Sequence, residues 1–390
     1  MTRGREWIAG LVLAIGGVVA ALLMLELGVR MLHLVPDRFW EPDPLLGARL
    51  IPGSHGWWTQ EEREFVIPVS INSQGQHDVE RNPAKAPGTV RVLILGDSFA
   101  EALHVPLGKG FPKVLERALN RNAGGRPIEV INAGVSGYGT ASETLYFESK
   151  GWRYEPDIVL LAFYPGNDIR NNSPTLEDAF KPVYGEDGRL DRVQPTKVAG
   201  EANRGWLGRS AAYRFLRQLV LVRQPGVGRV LVKLGLMRPE AIRAVVEDDG
   251  IPVGFGMYEV PTPAVWSDAW QRTESLLDRL KRGVEERGAR LAIAIVTARE
   301  QIYADSWQEI LQAHPSMQQL RWDTSEPQHW VQQWCARRGV PCLDLADTFL
   351  RRASSDGPML HYRHDGHWTE AGHELGGTLI AEFLQHMSVQ

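Results

Sequence analysis

Short apolar runs alternate with segments of helical spacing over most of this chain. The runs are rich in Val, Ile and Leu and predict strands at residues 90–95, 128–132, 157–163, 291–296 and 340–345. Helical spacing is found at residues 111–120, 141–151, 266–287, 329–338 and 370–387. Strands separated by helices predict an α/β fold, a doubly wound parallel sheet of five strands with helices on both faces. In such a sheet, sites form at the carboxyl ends of the strands.

The first apolar run differs from these because it has no polar face. Residues 7–25 contain no charge, and Arg3 and Arg5 precede them. A helix of this length crosses a hydrocarbon core of about 30 Å. A cleavable signal peptide would be shorter and would end in a small-x-small site, whereas Leu25 and Leu27 follow here. We therefore predict a single uncleaved membrane anchor through residues 7–29.

The charge pattern around the anchor predicts its orientation. Because basic residues stay on the cytoplasmic side, the chain after about residue 32 is expected to be exported. This predicts a protein of the inner membrane whose main domain lies on the periplasmic side.

Breaks in the pattern divide the chain into three parts. Residues 1–39 form a cytoplasmic stub and the anchor, and residues 40–87 form a juxtamembrane extension. Residues 62–72 of this extension resemble short edge strands, since Pro68 would disrupt a central strand. Residues 88–390 form the main domain.

A large insert follows the third predicted strand, at about residues 169–263. Within it, residues 213–223 and 229–237 are basic and amphipathic. In an anchored protein such segments can lie on anionic lipid, cover a site as a cap, or expose a solvated helix face. The sequence leaves these roles open.

Composition excludes one class of partner. The 43 basic and 47 acidic residues give a net charge of −4, which provides no basic field for nucleic acid. Thirteen Trp would suit a carbohydrate or lipid surface, or simply the core. Cys335 and Cys342 could pair in an oxidising compartment or remain small buried thiols, and this spacing alone makes no metal site. The sequence does not indicate the oligomeric state.

Three polar motifs each follow a predicted strand. Gly96-Asp97-Ser98 places a hydroxyl at a strand-to-helix turn, where Ser98 is a nucleophile or part of a helix cap. The glycine-rich residues 131–140 include Gly134, whose N–H could approach a ligand closely. In the third motif, Asn167 is either an amide donor for an oxyanion or a turn residue.

A fourth motif precedes the last helix and contains three histidines and an aspartate. His367 could act as a base, oriented by Asp365 if the loop folds back. The group could instead bind a metal, but a serine elsewhere needs a base, so we predict no metal or other cofactor. His373 lies inside the predicted helix and is expected to be structural.

The order of these motifs resembles the SGNH (GDSL-like) hydrolase superfamily. Its blocks are matched by residues 96–99, 132–134 and 166–168 and by Asp365 with His367. Two positions depart from the common pattern: Phe99 replaces Leu, and the last block reads Asp-x-His, a form similar to that of membrane-anchored and alginate O-acetylation relatives. The resemblance covers about residues 88–168 and 290–385.

The resemblance implies a three-layer, flavodoxin-like fold and roles for individual residues. Ser98 would be the nucleophile, His367 the base and Asp365 its orienting acid. The oxyanion donors would be the Ser98 N–H, the Gly134 N–H and the Asn167 side chain. We therefore expect an exported serine esterase acting on O-acyl esters, of the O-acetyl kind, on cell-envelope or exported glycans.

Three other readings stay open. An O-acetyltransferase would use the same acyl-enzyme with a sugar hydroxyl as acceptor. A lipid-directed esterase would fit the anchor and the basic segments. A non-catalytic glycan-binding or assembly protein would keep only the fold.

Overall fold

The structure is a computed structural model, and it describes residues 2–60, 62–121, 124–177, 182–184, 190–193, 208, 210–223, 251–353 and 357–389. The predicted segment at 229–237 lies outside these residues, as do parts of the predicted insert at 169–263.

The strands and helices of the described residues follow in chain order. The strands are β1 (Trp40–Asp43), β2 (Gly47–Leu50), β3 (His55–Thr59), β4 (Val66–Ser70), β5 (Val90–Gly96), β6 (Ile128–Asn132), β7 (Ile158–Phe163), β8 (Pro182–Tyr184), β9 (Leu190–Val193), β10 (Arg290–Ile295) and β11 (Cys342–Asp344). The helices are α1 (Thr2–Met31), α2 (Ser98–Glu101), α3 (Phe111–Arg121), α4 (Thr140–Ser149), α5 (Pro165–Asp168), α6 (Ala211–Arg223), α7 (Ala264–Glu285), α8 (Arg299–Ile302), α9 (Ala304–Ala313), α10 (Glu326–Arg338), α11 (Ala346–Ala353) and α12 (Glu370–Val389).

Within the described chain, five of these strands form one parallel sheet in the order β11-β10-β7-β5-β6. Of these five strands, β5 comes first in the sequence and lies between the second, β6, and the third, β7. The chain therefore winds first toward one edge of the sheet and then toward the other. Gly96 at the end of β5 lies opposite Ala162 of β7, and Ile94 lies opposite Asn132 of β6. The predicted doubly wound, flavodoxin-like sheet is confirmed, and it brings the predicted motifs to one edge.

Both faces of the sheet are buried, which explains why the strands read as continuous apolar runs. Leu93 and Leu95 point into a core with α4, α7 and α10. Val92 and Ile94 alternate with them and point into a second core with α3, α11 and α12. A helix layer therefore covers each face, as the three-layer prediction requires.

The remaining strands form small two-stranded sheets, with β1 pairing β2, β3 pairing β4 and β8 pairing β9. The prediction of short strands at residues 62–72 corresponds to β4, which contains Pro68 and pairs outside the central sheet.

The described residues divide into two units. One comprises the described parts of Met1–Asp37, Thr59–Val66 and Ala199–Asp248, and the other those of Arg38–Trp58, Ile67–Val198 and Asp249–Gln390. The second unit contains the central sheet. The predicted boundaries at residues 39/40 and 87/88 stay predictions.

In the first unit, α1 contains a segment, Trp7–Met31, that is long and apolar enough to cross a membrane. Its mean hydropathy is 2.7, and its most apolar window is not buried by other described residues. A signal sequence would have the same properties. Near the end of α1, Glu26 accepts hydrogen bonds from Ser210 and from the backbone N–H groups of Ala211 and Ala212, and so caps α6.

Candidate active site

The end of β5 delivers Ser98 to the first position of α2. Asp97 caps this helix, with its Oδ1 accepting from the Phe99 N–H at 2.9 Å. Asp97 is therefore the helix cap, and Ser98 follows it as the first residue of the helix; the role of Ser98 as nucleophile stays a prediction. Ser98 is 9% exposed, which leaves its hydroxyl near the surface of the sheet edge.

His367 lies next to this hydroxyl. Its Nε2 is 2.7 Å from Ser98 Oγ, and its Nδ1 is 2.7 Å from Asp365 Oδ1. The three side chains thus form a continuous hydrogen-bonded row, although 269 positions separate Ser98 from His367. Such a row can carry a proton from a hydroxyl to an imidazole that a carboxylate orients.

A turn at Gly366 allows Asp365 to reach His367 with only one residue between them. Gly366 has φ of +86°, a backbone conformation that residues with a side chain rarely adopt. The Gly366 N–H donates to Tyr362 O, and the Tyr362 N–H donates to His367 O. The Asp-x-His spacing, which departs from the commoner superfamily form, is therefore accommodated by a folded-back loop.

The loop that carries His367 is anchored by its neighbour Trp368. Trp368 is fully buried, and its indole N–H donates to Thr297 Oγ1, which lies 3.2 Å from His361 Nε2. A Cβ on Gly376 would lie 2.6 Å from the Trp368 ring, so α12 approaches the indole closely. These contacts of Trp368 hold the backbone of the adjacent residue, His367, in place.

Asp365 is held as a carboxylate. Burial alone would raise its pKa, but the hydrogen bond from His367 and the proximity of the His367 and His104 imidazoles hold the pKa at about 2. A carboxylate at this position keeps the His367 Nδ1–H facing it.

Two of the predicted oxyanion donors are bonded to the protein itself. The Asn167 side-chain amide donates to Asp97 Oδ2 at 2.7 Å, and the Gly134 N–H donates to Asn132 Oδ1 at 3.0 Å. An amide nitrogen carries two hydrogens, so Asn167 keeps a second one for a ligand, whereas Gly134 has a single N–H. The structure brings Asn167 to Asp97, one residue before Ser98.

Close packing explains the glycine at position 134. A Cβ there would lie 2.5 Å from the Glu101 backbone nitrogen and 2.6 Å from the Ala100 Cβ. Gly134 thus packs directly on the backbone of α2, the helix that begins at Ser98.

Sequence reasoning assigned no role to several buried acids around this edge. Burial raises the pKa of Asp97 to about 6, although the Phe99 N–H, the charge of His367 and the Asn167 amide oppose the rise. Burial also raises the pKa of Glu101 to about 7, although its bonds from Ser136 and Trp40 oppose this. Glu143 and Asp168 are also buried, and their pKa values lie well above the usual range, because of burial first and then the proximity of other carboxyls.

Two clusters among the described residues have the composition of a metal site. Ligand atoms of His104, Asp365 and His367 lie within 4.8 Å of one another, as do those of Asp323, Glu326 and His329 at the start of α10. In the first cluster the two imidazole planes are 13° from parallel and their centroids are 3.9 Å apart. Lone pairs in parallel planes do not converge on one ion, so this arrangement fits hydrogen bonding better than shared coordination.

The thiols lie elsewhere. Cys335 and Cys342, both among the described residues, are free, and Cys335 is buried. The sequence allowed either a disulfide or two thiols, and the structure shows two thiols without a disulfide bond between them.

The central sheet and the edge to which it brings Ser98, Asn167 and His367 have the arrangement that the resemblance to SGNH hydrolases implies. The resemblance drawn from the motifs is confirmed. More particularly, residues 259–390 match a family described as "SGNH hydrolase-like domain, acetyltransferase AlgX".

Individual relatives are distant. An arylesterase from Vibrio mimicus is 27% identical over 93 residues, which cover 24% of this chain and 46% of that protein. The chain thus spans less than half the length of this relative. A catalytic mutant of an acetylxylan esterase from Geobacillus stearothermophilus is 12% identical, with a TM-score of 0.39 over 76% of this chain and 94% of the other. A lipase/acylhydrolase from Enterococcus faecalis is 15% identical, with a TM-score of 0.37 over 76% and 96% of the two chains.

Proposed function

We propose that this protein is an exported, membrane-anchored serine esterase that removes O-acyl groups, of the O-acetyl kind, from cell-envelope or exported glycans. The observation that carries the proposal is the row in which Ser98 Oγ, His367 and Asp365 lie at successive distances of 2.7 Å. The similarity of residues 259–390 to the SGNH hydrolase-like family supports hydrolysis or acyl transfer as the class of reaction.

In the first half-reaction, His367 Nε2 accepts the Ser98 proton as Oγ attacks the ester carbonyl carbon. The carbonyl electrons move onto oxygen, and the Ser98 N–H, the Gly134 N–H and the Asn167 amide donate to this oxyanion. Each such donor typically lowers the barrier by about 3 to 4 kcal/mol. Asp365 holds the imidazole and stabilises the imidazolium that forms.

The tetrahedral intermediate then collapses. The bond between the carbonyl carbon and the sugar oxygen breaks, and His367 gives its proton to this leaving oxygen. Ser98 is left as an acyl ester. In the second half-reaction His367 takes a proton from water, the hydroxide attacks the acyl carbon, and the proton returns to Ser98 as acetate leaves.

The substrate class rests on two features. The apolar segment in α1 fits a membrane anchor through residues 7–29, and the basic residues Arg3 and Arg5 before it support an orientation in which the chain after the anchor is exported. The family name matched by residues 259–390 refers to acetyl transfer, which supports an acetyl ester.

The same match favours a second candidate, an O-acetyltransferase that acylates a polysaccharide. The acyl-enzyme on Ser98 would be identical, and a sugar hydroxyl would replace water in the second half-reaction. The two candidates differ only in which nucleophile reaches the acyl carbon first.

The hydrogen-bonded row argues against a purely binding role. A protein that only held glycans would have no need for a serine, an imidazole and a carboxylate at hydrogen-bond distance. A lipid-directed esterase has less support, because it rests only on the apolar segment of α1 and on the basic amphipathic pattern of the sequence.

The test uses the full chain in detergent micelles with an aryl acetate. We expect hydrolysis that Ser98→Ala abolishes and that Ser275→Ala, which removes the hydroxyl of an exposed helix serine, leaves intact. Full activity in the Ser98→Ala variant would contradict the proposal. Adding an acetylated donor together with an oligosaccharide then separates the candidates, since a transferase forms acetylated oligosaccharide faster than free acetate.

A further inference from the structure

A second histidine, His104, lies against the proposed base. It follows α2, six positions after Ser98, and its side chain is only 5% exposed. Its ring is stacked on that of His367, with centroids 3.9 Å apart and planes 13° from parallel. We propose that His104 is a positioning residue that holds His367 in the orientation joining Ser98 to Asp365.

Stacking restricts the motion that would break the row. His367 must keep Nδ1 on Asp365 and Nε2 on Ser98, and rotation about its Cβ–Cγ bond would lose both contacts. A flat ring at 3.9 Å blocks that rotation, because the turning edge would collide with it. Phe99 also contacts the His367 ring, at 4.8 Å and an angle of 40°. Two rings therefore confine the imidazole.

His104 is itself fixed relative to the loop that carries the base. The Tyr362 hydroxyl donates to His104 O at 3.0 Å, and the Tyr362 N–H donates to His367 O. The Trp58 ring meets the His104 ring edge-on, with centroids 6.3 Å apart. Because one tyrosine contacts both histidines, movement of His104 away from His367 would strain this loop.

Electrostatics allow the stack to persist during the reaction. Burial, and then the positive charge of His367, hold the pKa of His104 well below its usual value, although Asp365 opposes this. His104 is therefore neutral when His367 takes the proton from Ser98, and no like-charge repulsion arises. A cation against a neutral aromatic face is attracted to it.

His104 also lies beside the orienting acid. Its Nε2 is 3.7 Å from Asp365 Oδ1, too long for a direct hydrogen bond but close enough to oppose displacement of the carboxylate. Asp365 and His367 lie in one short loop, whereas His104 comes from another part of the chain. His104 therefore adds a restraint on Asp365 that the loop itself does not provide. The inference rests on the proposed function, because it assigns His104 a part in the same reaction.

The test compares His104→Ala, which removes the ring, with His104→Phe, which keeps a flat ring of similar size. We expect kcat of the Ala variant to fall about 10- to 100-fold with KM changed less than about 2-fold, because the base is misplaced while the substrate is still bound. The Phe variant should recover most of this loss. Added imidazole should raise kcat of the Ala variant and leave that of the wild type unchanged.

A matched control separates positioning from general loss of packing. His373 is buried, and its ring is stacked on Phe111 with centroids 6.1 Å apart, but it lies outside the row. His373→Ala should lower thermal stability with kcat of the folded fraction unchanged. Equal kcat in the wild type and His104→Ala, or equal losses in His104→Ala and His104→Phe, would overturn the inference. A wild type that does not react at Ser98 would overturn the proposed function instead, and the inference with it.

Discussion

The two sides of the candidate site differ in how their polar groups are already used. On the side of the proposed base (the base side), Ser98, His367 and Asp365 form hydrogen bonds in a row. On the side of the proposed oxyanion donors, Asn167 bonds to Asp97, and Gly134 bonds to Asn132. The proposed base is therefore already aligned with the proposed nucleophile, whereas the proposed donors are hydrogen-bonded to neighbouring side chains.

This difference assigns different tasks to the two sides. A Gly134 N–H that donates to an oxyanion must share or give up its bond to Asn132, while Asn167 can use its second hydrogen without losing Asp97. We therefore expect the base side to control the rate most strongly, and Asn167 to contribute more than Gly134.

The largest loss of activity is expected from a substitution on the base side. Asp365→Asn should lower kcat about 10³- to 10⁴-fold, because an amide can hold His367 in the wrong tautomer. Steady-state hydrolysis of an aryl acetate measures this. Asp323→Asn, which changes a carboxylate bonded to Ser325 near α10, should have no effect. A loss below about 10-fold in Asp365→Asn would show that the carboxylate does not orient the base.

Breaking the donor side should cost less. Asn167→Ala should lower kcat and kcat/KM equally, by about 10²- to 10³-fold, because the bond to the oxyanion exists only in the transition state. Asn171→Ala removes a nearby amide that donates to Gly137 O and serves as the control. An increase in KM at constant kcat would mean that Asn167 binds the ground state instead.

The scaffold behind the donors should respond to pH. The pKa of Glu101, about 7, lies above the usual 4.5, so between these values the native state binds more protons than the unfolded state. Stability should therefore fall as pH rises through this range, by roughly 3 kcal/mol in total. Glu101→Gln cannot ionise and should not show this loss. Urea unfolding of the wild type and of Glu101→Gln at several pH values measures this loss. A difference in stability between the two proteins that stays the same at every pH would contradict the raised pKa of Glu101.

The smallest effect is expected at the turn between Asp365 and His367. Gly366→Ala meets no neighbouring atom within 4 Å, so its cost is backbone strain alone, about 1 kcal/mol. Gly108→Ala, also in open space but without a positive φ, should cost less. Thermal unfolding compares the two, and equal stability would show that the turn tolerates a side chain.

Features that depend on neighbouring residues in the sequence could be predicted, whereas contacts between residues far apart in the sequence could not. The sheet was predictable because β5, β7 and β10 are buried on both faces, which makes each an uninterrupted apolar run. Ser98, Asn167 and His367 could be located because each follows a strand or precedes the last helix. The short Asp365–His367 link required a folded-back loop, and Gly366 provides it.

The supporting residues were not predictable, because their contacts depend on distant parts of the chain. Trp40 donates to Glu101 across 61 positions, and Ser136 bonds to the other oxygen of the same carboxyl. His104 shows no pattern of its own in the sequence, and only the three-dimensional structure places it on His367. Its only signal in the sequence is its position six residues after Ser98, and such proximity is also common for histidines that have no role in a site.

The most direct measurement is to trap the covalent intermediate. The full chain in detergent is mixed with an aryl acetate, quenched in acid after a short time, digested and analysed by mass spectrometry. We predict an acetyl group on the peptide that contains Ser98, together with a burst of phenol, and the loss of both in Ser98→Ala. An acetyl group on another residue, or a burst that persists in Ser98→Ala, would contradict the assignment of Ser98 as the nucleophile.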